Sequence, residues 1–193
     1  MERYIYTVDK KDITIDKGEL ALRLKTPRGY TDDLVERCIS EVFASVKPAC
    51  CYARLPLALK EDGVDLGFAF VKSQNLRACL KGCAEGYVMA STLGVETDRL
   101  IGRKSLVSPV EGFVTDAIAS AVAEAVMDNM YTHLSADLRL TARFSPGYGD
   151  LELAHQRDVL DFLCADKLIG IKLGDNLIMT PRKSITAICG IKE

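Results

Sequence analysis

The segment Arg143-Phe144-Ser145-Pro146-Gly147-Tyr148-Gly149-Asp150 gathers residue types that can hold a small polar ligand. The guanidinium of Arg143 is a planar fork that fits a carboxylate bidentately. Tyr148 offers a flat ring and a hydroxyl. Pro146 fixes one φ angle, and Gly147 and Gly149 admit positive φ and let a ligand approach the main chain closely. This set suits a zwitterionic or aromatic small molecule held against a loop. It also suits a plain strand-to-helix turn stabilised by Pro and Gly, and the residues alone leave both readings open.

A second pattern lies upstream, in an alanine-rich stretch from Pro109 to about Leu134 that reads as the longest helix. Asp116, Ser120, Glu124 and Asp128 recur at every fourth position. At 3.6 residues per turn they form one stripe that drifts by about 40° per step. Like charges one turn apart, as at Glu124 and Asp128, cost a few tenths of a kcal/mol on an exposed helix. A solvated face explains such a stripe, and so does a lining for a cationic ligand.

Other chemical templates fail. Gly147-x-Gly149 runs on to Glu152 instead of a third glycine, so there is no dinucleotide fingerprint, and no phosphate-binding Gly-x-x-x-x-Gly-Lys loop occurs. His133 and His155 fall on separate helices without metal-ligand spacing. Seven cysteines are present without a Cys-x-x-Cys pair, and Cys79-x-x-x-Cys83 has Gly86 where a cluster motif would need its third thiol. They read as small buried hydrophobes, with the vicinal Cys50-Cys51 as the one pair of redox interest. No Gly-x-Ser-x-Gly elbow and no Asp-x-His corrinoid-ligating element occurs.

The elements that must position these residues follow from periodicity and punctuation. Tyr4–Thr7 and Asp12–Ile15 read as short strands. Asp16 caps a helix that ends at Thr26-Pro27-Arg28-Gly29, and Thr31 caps a second with Leu34, Cys38, Val42 and Val46 on its inner face. Tyr52–Leu59 and Val64–Val71 flank Asp62-Gly63 and read as a hairpin. Ser73 caps a short helix. Tyr87–Ala90 reads as a strand, Ser91–Gly94 as a turn, and Thr97–Leu106 as a helix. Arg139–Ser145 is a predicted strand, 153–165 a helix, and Ile169–Leu173, Leu177–Thr180 and Ser184–Ile191 the last strands. Hairpin strands with separated helices imply an α+β class, with a mostly antiparallel sheet and flanking helices.

Composition bounds the function. The chain has 193 residues, 25 Lys+Arg against 27 Asp+Glu, and a formal net charge of −2. Near-balanced charge argues against an electrostatic nucleic-acid partner. Mean hydropathy near zero, no stretch apolar enough to span a bilayer and no signal peptide at the N-terminus imply a protein of the cytoplasm with no membrane role. The length suggests one domain over 1–193 with a core that needs no disulfide or metal.

Arg143 to Leu151 resembles the signature loop of the activation (reactivation) domain of cobalamin-dependent methionine synthase. The likeness continues through Gln156-Arg157, Ile169-Gly170-Ile171 and Asn176 to Ala187, with its Pro181-Arg182-Lys183-Ser184 strand. Upstream it takes in Ser91 to Leu100 and the alanine-rich helix. It covers 85–191 well, and 1–84 only in the order of elements. The resemblance implies a domain that binds S-adenosylmethionine and supports reductive re-methylation of an oxidised cobalamin, with an external electron donor such as flavodoxin. By position, Arg143 would hold the methionine carboxylate. The backbone around Ser145, Pro146 and Gly147, together with Tyr148, would contact the adenosine, Gly149 would belong to the same ligand site, and Tyr148 would also lie near the surface that faces the corrinoid. The acidic stripe adds a reading of its own, apart from the resemblance, in which Asp116 or Glu124 faces the ligand's ammonium or sulfonium. An N-terminal aromatic and acidic arm used by fused members is not recognisable here, and the chain has no Trp. No cobalamin, folate or homocysteine module lies within these residues. The resemblance therefore implies action in trans on a separate methionine synthase or another corrinoid protein, which would carry the cobalamin. The alternatives are a ligand-binding or docking module without methyl transfer, and an unrelated protein on the same fold.

Overall fold

A computed structural model describes residues 1–192. Its centre is a five-stranded antiparallel sheet in the order β1-β2-β6-β10-β7, formed by Tyr4–Tyr6, Ala49–Pro56, Glu85–Thr92, Ser184–Lys192 and Arg139–Leu140. The remaining strands are short. β3 (Ala58–Leu59), β4 (Val64–Asp65) and β5 (Phe70–Val71) make one small sheet, and β8 (Lys172–Leu173) pairs with β9 (Met179–Thr180) in another. Among the described residues seven α-helices complete the fold: α1 (Lys17–Leu24), α2 (Asp33–Ser45), α3 (Gln74–Cys79), α4 (Val95–Val107), α5 (Pro109–Leu134), α6 (His155–Leu163) and α7 (Ala165–Leu168). This is the α+β architecture that the sequence implies.

Both faces of the central sheet are covered, so its inner strands carry apolar residues at successive positions. On β6, Tyr87 and Met89 join a core built with α1, α2 and α5, whereas Val88 and Ala90 join one built with α6, α7 and the small sheets. On β2, Cys50 and Cys51 divide between the two cores in the same way. Burial pushes the thiols of Cys50, Cys51 and Cys189 up to about 12. All three are therefore neutral at pH 7 and pack as small apolar groups.

The long helix α5 lies across the first core with 14 of its residues buried. Its alanines leave room for α1, α2 and α4 to pack against it. Ser108 ends α4 and caps α5, its hydroxyl accepting from the Glu111 N–H at 3.3 Å, and Pro109 supplies the first helical φ. The two helices then run back along each other so closely that a Cβ at Gly112 would stand 2.7 Å from Ser105 Cα.

Several local readings change. Asp12–Ile15 is not a strand: the Asp9 carboxylate accepts from the Lys11 N–H and starts a 3-10 turn over Lys10–Asp12. Asp32, not Thr31, caps α2 through the Val35 N–H at 2.8 Å. Ser91 and Thr92 are strand residues, because β2 and β10 pair with β6 as far as Thr92 and the Ser184 and Thr92 hydroxyls bond each other at 2.8 Å. The predicted hairpin turn stands, with Leu59 opposite Val64, but the second strand folds again after Asp65, whose carboxylate takes the Gly67 N–H. The helix expected over 153–165 breaks at Cys164, which has φ +51°.

The α4–α5 contact yields a stability test. Gly112→Val should lower the urea midpoint by the equivalent of about 1–3 kcal/mol, the usual range for overpacking a closed contact. An unchanged midpoint would mean that the two helices separate without cost.

Candidate functional site

β7 is only two residues long and pairs with Ile191 and Lys192, so most of the outer edge of β10 has no partner strand. Beyond β7, Thr141 exchanges hydrogen bonds with Gly190 through its N–H and hydroxyl, and Phe144 forms an isolated bridge to Ile188. Thus the strand predicted over Arg139–Ser145 holds at Arg139–Leu140, with an isolated bridge at Phe144. Ile188 and Gly190 turn their main-chain groups to this outer edge. By the alternation of a strand, Ser184 and Thr186 do the same, where the edge is open.

A cavity of about 610 Å³ occupies that opening. The loop supplies Arg143, Phe144, Ser145, Pro146 and Tyr148; α5 supplies Glu124; β10 supplies Ser184, Ile185 and Thr186; Gln156 and Met179 close it from α6 and β9. Of the eight residues singled out in the sequence, five therefore converge here: Glu124, Arg143, Ser145, Pro146 and Tyr148. Gly147 and Gly149 do not line the cavity but shape its loop. Gly147 has φ +92° and gives its N–H to the Leu151 carbonyl at 2.8 Å. Gly149 has φ +53°, and a Cβ there would run into the Asn75 amide.

Asp116 stands elsewhere. It lines a smaller depression with Asp98, Arg182 and Lys183, and its carboxylate meets the Lys183 ammonium at 2.9 Å. Lys183 also donates to the Ser120 hydroxyl at 2.8 Å. The rest of the stripe is paired with Arg143, whose Nη2 lies 3.2 Å from Glu124 Oε2 and 2.7 Å from Asp128 Oδ1. The stripe is thus neither a plain solvated face nor a bare anionic lining. Lys183, just before β10, and Arg143 of the loop pair with it, and those side chains come close only in the folded chain.

The loop is held at both ends. Phe144 exchanges two 2.8 Å main-chain bonds with Ile188. At the other end the Asp150 carboxylate accepts from the Ser73 hydroxyl, from the Gln74 N–H at 2.7 Å and from the Asn75 N–H at 3.2 Å. It covers the first turn of α3, where free N–H groups favour an anion. Pro146 is buried between these anchors, whereas Tyr148 is 64% exposed at the rim.

The sequence did not mark Gln156, Met179, Ser184, Ile185 or Thr186 as site residues. Gln156 is buried at 5% exposure, with its amide 3.3 Å from the Leu177 carbonyl. A buried amide on a helix carries a signal of its own, but an open strand edge carries none, because it depends on how far a distant strand pairs. The two histidines lie outside the cavity: the His133 ring stacks on Tyr6 at 4.6 Å, and His155 meets Asp158 at 2.8 Å. No helix among the described residues is long and apolar enough to cross a membrane.

Taken together, the chain is an α+β protein with a small-molecule-sized cavity at an open sheet edge, headed by an arginine–glutamate pair. Among solved structures it is similar to the MetH reactivation domain crystallised with AdoHcy, at TM-score 0.72 and 15% identity. That alignment covers 98% of this chain and 78% of the other. The likeness establishes a shared fold, the one implied by the sequence resemblance. No protein-family profile and no curated protein sequence matches the chain.

The Asp150 anchor predicts an acid dependence. Its hydrogen bonds, the one from Ser73 first, hold the carboxyl below its ordinary value of 3.8. A lowered folded-state value adds stability that is complete above 3.8 and is lost as pH falls through the folded value. Asp150→Asn should therefore be less stable than the parent at pH 7 in urea titrations, with the gap closing below about pH 4. A gap independent of pH would show that the charge on Asp150 is not what anchors the loop.

Proposed function

We propose that the cavity binds S-adenosylmethionine and that the protein is an accessory factor for reductive re-methylation of cobalamin on a separate methionine synthase or another corrinoid protein. The observation that carries this reading is the Arg143–Glu124 pair at the cavity. An amino-acid head group has its own carboxylate and ammonium, so it can dock against the pair and give each charge a further partner. Arg143 receives the carboxylate and Glu124 the ammonium. The shared fold with a domain crystallised with AdoHcy supports the same class of ligand.

The other residues fit the rest of such a molecule. The open main-chain N–H and C=O of Thr186 match the acceptor and donor on the edge of an adenine ring. Pro146 and Met179 supply apolar surface, and Gln156 and Ser184 supply polar groups. Tyr148, exposed at the rim, faces the side from which a corrinoid protein would approach. The sulfonium supplies the methyl group, and the partner's corrinoid, reduced by one electron from a donor such as flavodoxin, supplies the nucleophile. No general acid or base is needed, so the protein's contribution is positioning and exclusion of water.

Calorimetry of the full chain with S-adenosylmethionine and S-adenosylhomocysteine tests the ligand. Both should bind, and Arg143→Ala should weaken each by about tenfold or more, since a charged hydrogen bond is worth roughly 1.5–3 kcal/mol. Its melting temperature should stay near that of the parent. Failure to bind at millimolar ligand would refute the reading. Methyl transfer is tested by mixing the protein with an inactive corrinoid methionine synthase, ligand and reduced flavodoxin and following cobalamin absorbance. Binding without a spectral change would leave a docking or sensing module.

A further inference from the structure

Asp128 does not line the cavity. It lies one turn beyond Glu124, with 59% of its side chain exposed, beside a neighbouring depression that also contains Tyr6, Asp12, Asn129 and His133. Its Oδ1 is nevertheless the nearest carboxylate oxygen to Arg143, at 2.7 Å from Nη2, whereas the cavity's own Glu124 stands at 3.2 Å from the same nitrogen. A carboxylate that grips the guanidinium bidentately takes either Nη1 with Nη2 or Nε with Nη2. Both arrangements need Nη2, which Glu124 already holds by a hydrogen bond and which Asp128 Oδ1 crowds as an ion pair, so an incoming carboxylate meets Asp128 there.

Glu124 has only 27% of its side chain exposed and its other oxygen lies 3.9 Å from Arg23. Asp128 is more exposed, and Arg143 is its one ion-pair partner among the described residues. It is the easier of the two to release into water.

We infer that Asp128 is a specificity-determining residue: an internal competitor for Arg143 that a ligand's carboxylate must displace. The inference rests on the proposed ligand reading and deepens it. Asp128 lowers the affinity for every carboxylate-bearing ligand and leaves unchanged the affinity for one that lacks a carboxylate. Glu124 meanwhile stays in place to meet the ammonium. A ligand with both charges recovers the cost of displacement through both contacts, whereas a bare carboxylate such as acetate recovers it through one.

The test compares the parent chain with Asp128→Asn and Asp128→Ala by calorimetry. S-adenosylmethionine is one probe, and decarboxylated S-adenosylmethionine, which keeps the sulfonium and the amine, is the other. Both variants should bind S-adenosylmethionine about two- to fivefold more tightly, the fold-change of an exposed ion pair worth up to about 1 kcal/mol. Affinity for the decarboxylated probe should not change. In parallel, phenylglyoxal labelling of Arg143, read by mass spectrometry without ligand, should be faster in both variants. If S-adenosylmethionine binds the parent and the variants equally, or binds the variants more weakly, Asp128 is a support for Arg143 and the inference is overturned while the ligand reading stands. If no chain binds S-adenosylmethionine, the ligand reading fails and takes this role with it, whatever the labelling rates.

Discussion

One guanidinium placed between two carboxylates organises the candidate site. Glu124 and Asp128 share a face of α5 because they are four residues apart, and like charges so placed repel. Arg143 enters between them from a loop more than a dozen residues further along and removes that repulsion. One turn and two turns earlier, Lys183, the residue before β10, donates to the Ser120 hydroxyl and pairs with the Asp116 carboxylate. The long helix is thereby joined along one stripe to the loop and to the strand that border the cavity.

The cavity exists because β10 outruns its neighbour. Eight residues of β10 pair with β6, but only two pair with β7. An unpaired strand edge normally invites another chain, and proteins cover it or blunt it. Here the loop from Arg143 to Asp150 arches over the opening without filling it. Its rigidity comes from its two ends, the Phe144 bridge to the sheet and the Asp150 cap on α3, and from the main-chain hydrogen bonds within it. A loop so anchored can present a charged group and an aromatic ring at fixed positions without losing much conformational freedom on binding.

The cysteines take no part in this site. Cys50, Cys51 and Cys189 belong to the sheet, where burial in two apolar cores keeps them protonated. Their small side chains fit where both faces of a strand are covered. In that respect they resemble the alanines of α5 more than any redox centre.

Much of this was legible in the amino-acid sequence. The α+β class, the long alanine-rich helix, the caps at Asp16 and Ser73 and the turn at Asp62-Gly63 all follow from local chemistry, in which a side chain acts on main chain a few residues away. Arg143, Ser145, Pro146 and Tyr148 were recognisable as a group because they are neighbours in the chain. What the sequence could not decide was which groups distant in the chain would meet. The stripe on α5 was visible, but not that Arg143 and Lys183 would neutralise it, nor that Asp116 would fall in a different depression from Glu124. The open edge at Thr186 depends on where β7 stops pairing, which is settled by the Thr141 hydroxyl and the Phe144 bridge rather than by propensity. Local chemistry acts within a turn or two of chain, whereas ion pairs and sheet edges are set by packing across the whole fold.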